Sequence, residues 1–275
     1  YSRMGGRNKR GESDMLAVIK GAGDIASGIA LRLKHAKIDI IMTDIERPTA
    51  IRRTVCFSQA VVNGEAQVED VKARRAQTPE EALKIVKEGD IAVIADERAE
   101  CIKAVKPDFV IDAILAKKNL GTSINDAPVV VGVGPGFTAG KDCHAVVETQ
   151  RGHYLGRVIL EGSAAENTGI PGNIGGYTTE RIIRAVKDGI FNPVCAIGDV
   201  VEAGQTVGYV DGEEVKCLIG GVLRGILPEN TPVYKGMKSG DVDPRCKIEH
   251  CFTVSDKALA VGGGVLEAVL RLRED

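Results

Sequence analysis

The chain has 275 residues, 44% of them hydrophobic, and a net charge of −2 with both signs mixed along its length. That is enough for one or two globular domains with a core. There is no basic stripe for nucleic acid, no aromatic platform for stacking bases (4% aromatic, no Trp), and no apolar run approaching the roughly 18 residues of a membrane span. Seven cysteines, an odd number without a Cys-x-x-Cys, predict reduced thiols, and with no signal-peptide pattern they predict a cytoplasmic protein.

Residues 1–14 carry no periodicity and are expected to form a flexible leader, with the folded part starting near Met15. The first strong pattern is the apolar run at Val18-Ile19-Lys20. It leads into Gly21-Ala22-Gly23-Asp24-Ile25-Ala26, a helix-like stretch to Leu33, and a second apolar run ending at Asp44. This is the order of parts in a dinucleotide-binding βαβ unit. In that reading Gly21 makes the tight turn, Gly23 lets backbone approach a pyrophosphate, and Ala26 allows close helix–strand packing. Asp44 holds a ribose hydroxyl, and the helix start at Asp24 supplies N–H groups. Alternatively the glycines only turn the chain and Asp44 only ends a strand. Asp44 favours an unphosphorylated ribose, while Arg47, Arg52 and Arg53 close by could receive the 2′-phosphate of NADP.

Thr78-Pro79-Glu80-Glu81 predicts a capped helix start. Strands are predicted at Asp90–Ala95, at Phe109–Ile114 and at Pro128–Val133, the last ending in Gly134-Pro135-Gly136. Ala145–Thr149 and Leu155–Leu160 read as an antiparallel pair. Strands alternating with helices predict a Rossmann-like, doubly wound, mainly parallel sheet over 15–192, with ligands outside its strand ends.

Character changes near residue 193. Val194 to Gly208 and Leu227 to Gly240 are similar phrases of short strands and turns around an Asp211-Gly212 hairpin. They predict a small β domain over 193–254, resembling a biotinyl/lipoyl-type barrel-sandwich hybrid. Its hairpin tip, Asp211-Gly212-Glu213-Glu214, lacks the lysine that biotin or lipoate needs. Residues 255–275 read as a helix packing back on the first domain, with Gly262–Gly264 serving close packing or a tight turn.

Candidate chemistry falls at four places. Asp112, Lys117 and Asn119 follow one strand end and suit a phosphate or a pterin-like ligand. Gly134 and Gly136 suit an anion-binding nest. His144, Glu148, Arg151 and His153 cluster around a hairpin, with His and Glu as acid–base partners and Arg151 for an anion. Cys143-His144 and Cys246-x-x-x-His250-Cys251 lack a four-ligand metal spacing, so no metal site is expected. Lys117, His144, Glu148 and His153 are the expected catalytic groups. Gly21, Gly23, Asp24, Ala26, Asp44, Asp112, Asn119, Gly134, Gly136 and Arg151 are the expected cofactor-binding ones.

Several phrases are more specific than these patterns: Ile19–Gly28, Arg52–Val61, Asp112–Asn119, Gly134–Gly140, Glu148–Gly156, Thr168–Gly172 and Gly240–Arg245. Together they resemble the accessory family of the selenium-dependent molybdenum hydroxylase system, whose Rossmann part is related to the xanthine dehydrogenase accessory (XdhC-like) proteins. The resemblance implies a maturation protein with a nucleotide or molybdopterin-type cofactor in its cleft. Its partner would be the hydroxylase or another maturation protein, and homo-oligomers would be possible. The alternatives are an NAD(P)-dependent oxidoreductase and a non-catalytic scaffold.

Overall fold

A computed structural model of the chain describes residues 15–273, so the expected leader at 1–14 lies outside the described residues. The first body is built on β1 (Leu16–Lys20), α1 (Asp24–His35), β2 (Asp39–Asp44), α2 (Gln59–Asn63), β3 (Glu65–Val68) and β4 (Val71–Ala76). It continues with α3 (Pro79–Lys87), β5 (Ile91–Ala95), α4 (Cys101–Val105), β6 (Phe109–Asp112), β7 (Val129–Val133), β8 (Ala145–Val147) and β9 (Val158–Ile159). The nine strands form one sheet in the order β3-β4-β5-β2-β1-β6-β7-β8-β9. From β4 to β8 neighbours run parallel, whereas β3–β4 and β8–β9 are antiparallel.

The central strands are buried on both faces. Val18, Ile41, Val110 and Val130 face α3 and α4, and Ile19, Met42, Ile111 and Val131 face α1. This is why β1, β2, β6 and β7 read as unbroken apolar runs rather than alternating ones. Thr78 caps α3 by accepting the Glu81 N–H, with Pro79 in the first turn.

The doubly wound expectation needs correcting. Residues 113–128 join β6 to β7, and 134–144 join β7 to β8, with no helix in either connection. The face those missing helices would cover is taken by α5 (Asp256–Leu272), which arrives from the far end of the chain and packs on α1, β7 and β8. The sheet is therefore a large mixed one, covered by a late helix, and not two wound halves. Small residues set the α1–α5 approach. A Cβ on Gly28 would lie 2.6 Å from the Ala258 Cβ, and one on Gly262 would lie 2.7 Å from the Gly28 carbonyl oxygen. The helix runs straight through Gly262–Gly264, because close packing offsets the roughly 1 kcal/mol that each glycine costs a helix.

The barrel-sandwich expectation is corrected as well. The second body consists of β10 (Ile182–Arg184), β11 (Gly189–Pro193), β12 (Val200–Val201), β13 (Thr206–Val210), β14 (Glu213–Lys216), β15 (Gly221–Ile226), β16 (Thr231–Val233) and β17 (Lys238–Asp243). These make two open, four-stranded antiparallel sheets, β10-β17-β15-β12 and β14-β13-β11-β16. Their shared core includes Phe191, Val210, Leu223, Ile226 and Val242. Strand pairing begins at Ile182, ahead of residue 193, because β10 and β11 are needed as partners for β17 and β13. The two similar phrases supplied turns without specifying which strands would pair. The segment after β2 ties the bodies together: the Ile226 N–H donates to the Ile51 carbonyl at 2.9 Å, and Arg53 Nε donates to the Ile226 carbonyl at 2.9 Å. Among the described residues no helix is long and apolar enough to cross a membrane.

Candidate functional site

At the β1–α1 turn, Gly21 has φ +94° and donates to the Thr43 carbonyl, which brings the turn against the end of β2. Asp44 is absorbed by this turn. One carboxylate oxygen accepts the Ala22 N–H at 2.9 Å and the other the Ile45 N–H at 2.8 Å. Burial raises its pKa, and those two N–H groups partly counter the rise. Gly23 precedes α1 without a side-chain cap, Ala26 is buried, and Asp24 opens the helix.

Asp112 is buried beneath the strand ends. It accepts from Thr122 Oγ1 at 2.6 Å and lies 3.6 Å from the Lys20 ammonium. The Asn119 side chain ties its own loop, accepting from Gly121 and Thr122 and donating to the Thr122 carbonyl. Gly134 donates to the Val147 carbonyl. A Cβ on Gly136 would lie 2.7 Å from Lys118 backbone, so that glycine serves a close approach of two loops.

His144, Glu148 and His153 are not brought together. His144 Nδ1 accepts the Val130 N–H at 2.9 Å. Glu148 is buried, and its carboxylate accepts three backbone N–H groups, from Thr149, Gln150 and Ala165, at 2.6–2.8 Å. It pins two loops in place. His153 is exposed, edge-on to the Tyr154 ring at 5.0 Å.

A cavity of about 600 Å³ opens where the C-terminal ends of β1, β6, β7 and β8 face the antiparallel body. Of the expected residues, Asp24, Lys117 and Arg151 line it. The loop carrying Lys117 is strained, with Leu115 at φ +61° and Lys117 at φ +64°; both line the cavity. Left-handed backbone at non-glycine residues is uncommon and gathers at functional sites. Arg52 donates to Asp24 Oδ2 at 2.7 Å and to the carbonyls of His250 and Thr253. Arg151 grips Asp256 through both terminal nitrogens, at 2.7 and 2.9 Å, and holds that carboxyl well below the usual range. The first turn of α5 adds Ser255 and Lys257.

From the antiparallel body come Arg181, Arg224, Lys238 and Asp241. Arg181 donates to Asp241 Oδ1 at 2.8 Å, and both are nearly fully buried. Arg224 reaches the His250 carbonyl at 3.4 Å and lies 3.7 Å from Asp243. Burial, and then the Arg52 charge, lower its pKa.

Seven basic side chains thus face three acidic ones, Asp24, Glu166 and Asp241. Among the described residues no ion pair or hydrogen bond holds the Lys238 or Lys257 ammonium. Protein atoms crowding the two ammonium groups push both below the ordinary lysine range. For Lys257 the Arg151 charge adds to this; for Lys238 the nearby Asp241 works against it. Lys238 is solvent-exposed and lines the cavity. The excess of basic groups makes the cavity electropositive.

Among the described residues no group of three or more His, Cys, Asp or Glu is placed to hold a metal ion. Cys143 is buried, which drives its thiol up to about 11 and leaves it unreactive at neutral pH.

No family model matches the chain. It is 52% identical over 257 residues to the uncharacterized protein YqeB of Escherichia coli (strain K12), covering 94% of this chain and 48% of that protein. The chain spans about half the length of the curated relative it matches. Among solved structures, an aspartoacylase family protein from Mesorhizobium loti overlaps 84% of this chain and 85% of its own, with 13% identity and a TM-score of 0.28. A succinylglutamate desuccinylase/aspartoacylase from Rhodobacter sphaeroides overlaps 23% of this chain and 21% of its own, with 20% identity and a TM-score of 0.21. Structural agreement at these TM-scores carries neither fold nor activity across. None of these relatives is described as a molybdenum hydroxylase accessory or XdhC-like protein. The family resemblance and the maturation role it implied are therefore withdrawn, and nothing found supports the oxidoreductase or scaffold alternatives.

Sequence reasoning missed Arg181, Arg224, Lys238, Asp241 and Lys257. It sought ligand groups at the strand ends and turns of the first body and weighed the charges of the β domain only for a biotin or lipoate lysine, so the others were not weighed as ligand groups. One signal was available: Arg224 stands alone in the apolar strand Gly221-Val-Leu-Arg-Gly-Ile, a strand buried throughout, and a buried unexplained charge marks either a pair or a site.

Proposed function

We propose that this chain binds a small, multiply charged anion, carboxylate- or phosphate-bearing, in the cavity between its two bodies. The excess of basic over acidic groups supports this, and the unpaired ammonium group of Lys257 carries it. Arg52, Arg151 and Arg181 already hold carboxylates of the protein and set the shape of the site. Lys257 retains its full capacity for a ligand. The start of α1, which has no side-chain cap, adds its dipole on the same side. The free thiols of all seven cysteines support a reducing, cytoplasmic setting.

The test is calorimetric titration at low ionic strength with phosphate, pyrophosphate and citrate, with NAD and NADP as larger probes. The expected result is one site whose affinity falls as salt is added. Lys257→Met should weaken binding at least tenfold, about 1.4 kcal/mol, with an unchanged circular dichroism spectrum. Absence of heat with every probe, or equal binding by the variant, would overturn the reading.

A further inference from the structure

We infer that Lys238 is a nucleophilic amine that forms an imine with a small anion carrying an aldehyde or ketone group, and that Asp241 moves the protons of that step. The inference rests on the anion-binding reading of the cavity. Its starting point is the register of β17. Ile183 pairs with Gly240, but Arg184 pairs with Lys238, so one residue is skipped on β17. Such a bulge breaks the alternation of side chains along a strand. Lys238 and Asp241, three apart and hence on opposite faces of a regular strand, both end up lining the same cavity.

The surroundings suit an amine more than a salt bridge. Arg181 occupies Asp241 Oδ1 at 2.8 Å, and no hydrogen bond among the described residues engages Oδ2. Asp241 is close enough to influence Lys238 electrostatically, yet the two form no ion pair within 4.0 Å. The protein atoms crowding the Lys238 ammonium lower its pKa against the opposing pull of Asp241, and the Arg181 charge adds to the lowering, which favours the neutral amine with a lone pair to donate. The remaining cations, Lys257 and Arg224, are placed to hold the anionic end of the same molecule.

The step balances without an outside oxidant or reductant. The Lys238 Nζ lone pair attacks the carbonyl carbon, and Asp241 passes a first proton from the nitrogen to the carbonyl oxygen to give a carbinolamine. The nitrogen loses a proton to Asp241, which returns one to the departing hydroxyl, and water leaves as the C=N bond forms. Hydrolysis reverses the sequence.

The experiment is reductive trapping. The protein is incubated with limiting pyridoxal 5′-phosphate or glyoxylate and cyanoborohydride, whose hydride fixes any imine as a secondary amine, and the adduct is mapped by peptide mass spectrometry. Modification should concentrate on Lys238, fall when phosphate or citrate competes, and disappear from that peptide in Lys238→Arg. That variant keeps the positive charge but has no primary amine to form an imine. Labelling spread over surface lysines according to exposure, or an adduct yield unchanged in Lys238→Arg, would overturn the inference while leaving anion binding standing. A wild-type protein that binds no anion would instead remove the reading beneath it.

Discussion

The two sides of the cavity are built in different ways. On the large-sheet side the groups ride on loops and helix starts. Lys117 sits on a left-handed loop, Arg151 follows β8, and Lys257 lies in the first turn of α5. On the antiparallel side they project from strands. Arg224 is in β15, Lys238 and Asp241 are in β17, and Arg181 directly precedes β10. Arg181, Arg224 and Asp241 are all nearly fully buried. Charges on loops can be changed with little effect on the fold, whereas charges buried in strands are part of it. The same substitution should therefore separate binding from stability on one side and confound them on the other.

Arg181→Met should break the molecule most. It strands the Asp241 carboxylate in a buried site, a change that costs about 3–5 kcal/mol. Urea unfolding should show a lower midpoint at unchanged slope. A loss below about 1 kcal/mol would mean that Asp241 finds water and that the strand side tolerates change as the loop side does.

The next effect concerns Asp243, whose side chain is fully buried. Burial alone would raise its pKa, but the Arg245 fork at 2.6 and 2.9 Å, with Arg224 behind it, brings it down to about 2. A folded pKa below the unfolded one means stability that is complete above the unfolded value of about 4 and is lost as pH falls towards 2. Since Arg245 is partly exposed, solvent screening reduces the contribution to about 1–2 kcal/mol. Asp243→Asn should flatten the stability profile between pH 4 and 2. A profile as steep as the parent's would assign that acid sensitivity to other carboxylates.

The contrast between the two sides also explains what the sequence could reveal. The apolar runs of β1, β2, β5, β6 and β7 are legible because a strand buried on both faces excludes polar residues throughout. Local spacing cannot show that 113–128 and 134–144 hold no helix-forming pattern strong enough to cover the sheet, nor that α5 returns to replace those helices. That information lies in pairings more than a hundred residues apart. The site divides in the same way. Asp24, Lys117 and Arg151 sit beside turn motifs that advertise them. Lys238 reaches the cavity only because of a register shift, and Arg181 only because β10 pairs with β17. Glu148 and His144 carried the right chemistry, but backbone N–H groups occupy them. A residue-type signal cannot distinguish a carboxylate that serves a ligand from one that serves a loop.

Lys117→Gly is the smallest expected effect and the sharpest test of the loop side. At φ +64° the lysine bears the left-handed penalty of about 1–2 kcal/mol, which glycine escapes. Glycine also gives the unfolded chain more freedom, a cost of about 0.5–1 kcal/mol. The side chain is exposed, and the Asn167 side-chain amide lies 3.1 Å from its ammonium, able to accept once the amide's oxygen and nitrogen are exchanged, so little packing is lost. The net change should be a stabilisation of about 0.5 kcal/mol, read as a rise in melting temperature, together with weaker binding of pyrophosphate. A rise in stability with a fall in affinity is the expected signature of strain held for function. If both fell together, the loop would belong with the strand side, as part of the fold, and the contrast between the two walls of the cavity would fail at this residue.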